Sequence, residues 1–265
     1  MNKENLFNTN AKDRYDEYTE LLYKRDTLEK EAASILIDYN RIFGEKLVSN
    51  FELKIECIKK KKMLSFCQCC INAGKKIDVG IMSRKIDDEM QLYNYELQRM
   101  IDDTKAAKEA VTIGSYRTER SKKIYRRLVK RLHPDGNKKL MESETLRELW
   151  DEIVLAYKRS DSDKLEDLET MVRKELEKLG EDWLTDISED VEERIERVIS
   201  QINEILNTEP YTYRDWIFDS SKKKARLQEL DAEHEEYDKY LAELNELLEK
   251  ILLNGGKTVW RMNIG

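Results

Sequence analysis

An imidazole and a carboxylate flank a proline in His133-Pro134-Asp135, at the end of the basic stretch YRRLVKRLHPDGN. Between Arg117 and Leu132 stand eight Lys or Arg and a single Glu, a local balance of +7, although the 265-residue chain sums to −7. A basic island in an otherwise acidic chain suits electrostatic docking on an acidic partner surface. Pro134 is one of only two prolines. It fixes its own φ and biases the preceding residue away from helix, so the basic helix is expected to stop near His133. A His and an Asp are then offered on a stiff turn at the tip of a positive helix. That arrangement serves recognition rather than turnover, because the remaining Asp and Glu are spread along helical surfaces and single out no acid–base pair.

Other residues with chemical potential carry less. Cys57, Cys67, Cys69 and Cys70 crowd one segment that reads as a helix, with no His nearby in sequence. Zinc sites use separated pairs with a turn between ligands, so reduced, partly buried thiols are expected, with no metal and no cofactor. His234 falls in an apolar seam and reads as a structural histidine. The Lys59–Lys62 run reads as a solvated face. Gly255-Gly-Lys-Thr258 follows a helix instead of preceding one and lacks the earlier glycine of a phosphate-binding loop. Rows of Lys and Arg also neutralise nucleic-acid phosphates. That reading lacks aromatic interleaving, a recognisable reader fold and an overall basic domain, so nucleic acid is not the expected partner.

Tyr125-Arg-Arg-Leu128, four further residues and then His-Pro-Asp resemble the second helix and loop of a J-domain, the module of DnaJ-type cochaperones. The third helix of that family is matched by Trp150, Ile153, Ala156 and Tyr157 in LWDEIVLAYKRSD. The resemblance covers about a quarter of the chain. The segment before the basic helix, AKEAVTIGSYRTERS, lacks the family's Tyr-x-x-Leu-Gly-Val-like first helix; the end of the preceding long helix takes its place, or it has diverged. Gly136 stands where the family often has a further basic residue. The family's repeated CxxC zinc module and Gly/Phe-rich linker are absent. The resemblance implies a cochaperone, not itself an enzyme, that binds a DnaK-type (seventy-kilodalton heat-shock) chaperone and stimulates its ATP hydrolysis. It implies a stimulating loop of His133, Pro134 and Asp135 supported by Asn137. It also implies a docking face of Lys122, Tyr125, Arg126, Arg127 and Lys130. A different class stays open: a coiled-coil scaffold or tether whose J-like hairpin activates nothing.

These residues must be positioned by helices. Charged residues make up 39% of the chain, whereas Gly and Pro together number eleven, which predicts an all-α protein with short connections. No apolar run of about 18 residues exists, and the first residues lack the apolar core of a signal peptide, so a soluble cytoplasmic protein is expected. Three regions are predicted: a coiled-coil-like bundle of three helices over 1–115, the J-domain-like region over 116–180, and an antiparallel helical hairpin over 181–265. In the first, helices run from about Asp13 to Phe43, interrupted at Gly44, from Glu45 to Ala73, and onward from Ser83. Thr145-x-x-Glu148 has capping-box spacing for the helix after the loop. Gly180 ends the following helix, and Asp186-x-x-Glu189 opens the next. In the last region, a seam of Val191, Ile195, Val198, Ile202 and Ile205 faces Leu230, His234, Tyr237, Leu241, Leu244, Leu248 and Ile251. Glu209-Pro210 separates the two helices and Gly255-Gly256 ends the second. The flanking helices suit recruitment of a client or self-association.

Overall fold

The computed structural model describes residues 3–110, 115–137, 140–179 and 191–253, without the side chains of 3–12 and 115. Gly180, Asp186, Glu189, Gly255 and Gly256 lie outside the described residues. All regular structure among the described residues is helical, in keeping with the all-α class. None of these helices is long and apolar enough to cross a membrane.

The first helix, α1, spans Lys3–Asn72 without the interruption predicted at Gly44. After a turn, Asp78 caps α2 (Val79–Glu89) by accepting a hydrogen bond from the Ile81 N–H. A break at Met90 separates α2 from α3 (Gln91–Glu109), where the sequence predicts one helix onward from Ser83. Gly44 serves packing instead of punctuation. A Cβ there would lie 2.5 Å from Thr104 Oγ1 of α3, so only glycine allows this close approach. The basic stretch forms α4 (Ser115–Leu132), followed by a loop and a short 3₁₀ turn at Leu140–Glu142. α5 (Glu144–Lys158) is capped by Ser143, whose side chain accepts from the Leu146 N–H, two residues before the predicted Thr145. α6 (Ser162–Leu179), α7 (Val191–Asn207), the short α8 (Arg214–Phe218) and α9 (Ser220–Leu253) complete the described chain.

Two compact units result, Met1–Leu36 with Val111–Thr212, and Ile37–Ala110 with Tyr213–Gly265. Each unit joins two separate stretches of chain, whereas the predicted regions 1–115, 116–180 and 181–265 are contiguous. α7 falls in the first of these units and α9 in the second. The α9 seam finds apolar partners on α1 and α2, and α7 meets α1 through the Arg14–Glu192 ion pair. Four-three spacing marks an amphipathic helix but does not name the surface that covers it.

In the second unit, Leu244, Leu248 and Ile251 of α9 pack with Ile55, Leu64 and Cys67 of α1 and with Met82 and Ile86 of α2. α9 runs parallel to α1 here. Asn50 donates to the Leu230 carbonyl at 2.9 Å, and its Oδ1 lies 3.0 Å from His234 Nδ1. His234 is thus hydrogen-bonded within a seam, as expected, although its partner is on α1.

In the first unit, α4, α5 and α6 form an up-down-up bundle whose interior holds Leu128, Val129 and Leu132 of α4, Leu149 and Ile153 of α5, and Leu165 and Leu168 of α6. α5 ends at Ser160 with φ 53°, a left-handed residue beyond the helix, and Asp161 N–H donates to Ala156 O. α1 lies antiparallel to α4, with Tyr18, Leu22, Leu28 and Ala32 buried.

Candidate functional site

The loop after α4 is built as the proline dictates. His133 N–H still donates to Val129 O at 3.1 Å, and the helix ends there. Gly136 and Asn137 N–H both donate to His133 O, at 3.0 and 2.9 Å, folding the tripeptide into a tight turn. Asp135 N–H donates to His133 Nδ1 at 3.1 Å. His133 Nε2 faces Asp26 Oδ2 at 3.6 Å. The edge of Trp150 meets the imidazole at 4.9 Å between centroids, and His133 is only 4% exposed.

Asp26 of α1 is the hub of the site. Its Oδ2 accepts from the Tyr125 hydroxyl at 2.7 Å, and its Oδ1 accepts from Arg25 Nη2 and Nε at 2.8 and 3.1 Å. Burial by itself raises this carboxyl, but His133, Arg25 and Tyr125 together outweigh it and hold Asp26 below its ordinary value. Arg25 also reaches Asp135 Oδ2 at 3.2 Å and lies 3.2 Å from His133 Nε2. Tyr125 is 2% exposed and stacks on Tyr157 at 3.8 Å with planes 1° apart. Burial and the adjacent Asp26 push its phenol far above the usual range.

The four cations expected on the docking face of α4 are each ion-paired. Arg126 Nε and Nη2 grip Glu20 at 2.9 and 2.8 Å, and Lys130 binds the same carboxylate at 2.9 Å. Burial raises Glu20, yet Arg126 and Lys130 prevail and hold it low. Lys122 lies 3.7 Å from Glu31 and 3.6 Å from Glu119. Arg127 turns to α6 and forms a two-pronged pair with Glu169 at 2.8 and 2.7 Å. Alongside, Lys30 donates to Tyr157 O and Ser160 Oγ; burial, aided by Lys122, lowers its ammonium to about 8.

The residues expected to act together all lie in the first unit but have different roles, with Lys122, Arg126 and Lys130 toward α1 and Arg127 toward α6. His133 and Tyr125 are buried, Asp135 keeps 51% of its side chain exposed, and Arg126, Arg127 and Lys130 are ion-paired. Pro134 is half-buried at the turn. Asn137 closes the turn through its backbone, and its side-chain Nδ2 is buried with no partner among the described residues. Sequence reasoning missed Arg25, Asp26 and Glu20. The available signal was a match between i, i+4 rows, Asp16 and Glu20 against Lys122, Arg126 and Lys130. Cys57 and Cys67 are buried, Cys69 is exposed, and all four thiols lie on α1, far in sequence from this site. No group of three or more His, Cys, Asp or Glu among the described residues is arranged to hold a metal ion. No protein-family model, curated protein or solved structure matches the chain.

Proposed function

We propose that this protein is a J-domain-type cochaperone that binds a DnaK-type chaperone and stimulates its ATP hydrolysis. The observation that carries the reading is the His133-Pro134-Asp135 turn at the tip of a basic helix, with His133 against Trp150 of the next helix and Tyr125 of the basic helix stacked on Tyr157. The same four α5 residues that match the family pattern, Trp150, Ile153, Ala156 and Tyr157, are all buried in that unit. α4 supplies positive charge that steers encounter with an acidic surface. Asp135, half exposed, is placed to pair with a cation of the chaperone. Stimulation requires that the cochaperone bind the hydrolysis-competent state more tightly than the resting one. The protein performs no bond chemistry itself in this reading.

A scaffold or tether with a non-activating hairpin is the second reading, and one observation favours it. α1 lies over Tyr125 and pairs with Arg126 and Lys130, the side chains that docking would use. Single-turnover ATP hydrolysis by a DnaK-type chaperone from the same source separates the two. Acceleration by the wild-type protein supports the cochaperone; an unchanged rate with intact helicity supports the scaffold.

A further inference from the structure

The acidic side of α1 fits the basic side of α4 as an acidic partner would. Glu20 bridges Arg126 and Lys130, Asp26 takes the Tyr125 hydroxyl, and Glu31 lies against Lys122. The contacts continue onto the loop. The Tyr18 hydroxyl donates to Asp135 O and the Tyr15 hydroxyl to Gly136 O, both at 3.4 Å. A Cβ at Gly136 would lie 3.1 Å from Tyr15 Oη, so the absence of a side chain there lets α1 sit directly on the turn. Arg194 of α7 donates to Asp135 O from the other side at 3.0 Å.

We infer that residues 15–31 of α1 are an internal occupant of the docking face, and that an acidic partner surface docks only when this segment moves off α4. The inference rests on the cochaperone reading and specifies how its site is regulated. The cover combines two kinds of contact. The Tyr125–Asp26 bond is buried and fixes the closed register. The Glu20 and Glu31 pairs are partly exposed, and such pairs contribute little individually. An acidic partner surface offers the same carboxylates to the same cations, so exchange is close to balanced and the closed state is displaceable. Apparent affinity is then the intrinsic affinity multiplied by the fraction of open molecules.

The experiment compares wild type with Asp16→Asn/Glu20→Gln/Glu31→Gln, which leaves every α4 and loop residue in place. Binding to the purified chaperone is measured together with hydrogen exchange over residues 15–31. The variant is expected to bind roughly three- to tenfold tighter. Adding chaperone to wild type is expected to speed exchange over 15–31. Wild type and variant binding equally, with exchange over 15–31 unchanged or slowed by the chaperone, would overturn the cover while leaving the cochaperone reading intact. No binding by either protein overturns the function and the cover together. If the triple variant melts below the assay temperature, Tyr15→Ala removes one contact from the α1 side only and is held to the same outcomes.

Discussion

Replacing Asp26 by Asn keeps the shape of the side chain and removes the charge at the centre of the site. The carboxylate is 12% exposed, and the Arg25 guanidinium beside it 15%. In the variant Arg25 keeps Asp135 at 3.2 Å, but that group is half exposed and screened. The amide oxygen still accepts one hydrogen bond, from either Tyr125 or Arg25. Breaking a buried pair outright costs about 3–5 kcal/mol, and the retained contacts reduce this to about 2–3 kcal/mol. In a unit of this size that lowers Tm by roughly 5–10 °C. The cost also depends on pH. The folded-state pKa of Asp26 lies below its ordinary value of 3.8. Its stabilisation is therefore fully present above about pH 4 and is lost as pH falls through the folded value. Thermal melts followed by circular dichroism at pH 7 and below pH 4 test this, with Asp38→Asn as an exposed-pair control expected to move little. A variant melting within a degree of wild type at pH 7 refutes the seating of α1 on α4 through Asp26.

Gly44→Ala, stabilising in an ordinary helix by about 0.5–1 kcal/mol, is expected to destabilise here by about 1–3 kcal/mol because its Cβ meets Thr104. Chemical denaturation measures it, and Thr104→Ala in the same chain should restore most of the loss. Leu248→Ala, in the buried seam of α9, is expected to cost about 2–5 kcal/mol in the same assay. Lys30 has a folded-state pKa lowered from 10.5 to about 8. Its burden on the fold is complete below about pH 8 and lifts as pH rises toward 10.5, so wild-type stability gains a positive pH slope in that window. Lys30→Met, melted at pH 7.5 and pH 9.5, should lose that contribution to the slope.

Much of the local structure was legible because each signal was local. Pro134 stops α4 at Leu132, and Asp219 caps α9 by accepting from the Ser221 N–H. The four residues matched in α5 are buried. Where partners are distant in sequence, legibility failed. Gly44 was read as a breaker because glycine ends helices often, whereas here it admits Thr104 from 60 residues away. The seam of α9 gave no sign that residues of α1 and α2, some 180 residues earlier, would cover it. Asp16, Glu20 and Asp26 resembled the solvated acids of any charged helix. Only the fold shows that they face Tyr125, Arg126 and Lys130, and so the hub of the site went unread.

The most direct measurement of the central claim is single-turnover ATP hydrolysis by the partner chaperone, with wild type beside Asp135→Asn. Asp135 is half exposed and its pair with Arg25 is worth no more than about 1 kcal/mol, so the variant should keep its fold by circular dichroism. Losing a charge pair across the chaperone interface costs about 2–5 kcal/mol, which corresponds to roughly a 30-fold or greater drop in stimulation at limiting cochaperone. The account predicts clear acceleration by wild type and that loss in the folded variant. Wild-type protein that accelerates no DnaK-type chaperone from its own source contradicts the account, and equal acceleration by both removes Asp135 from the mechanism.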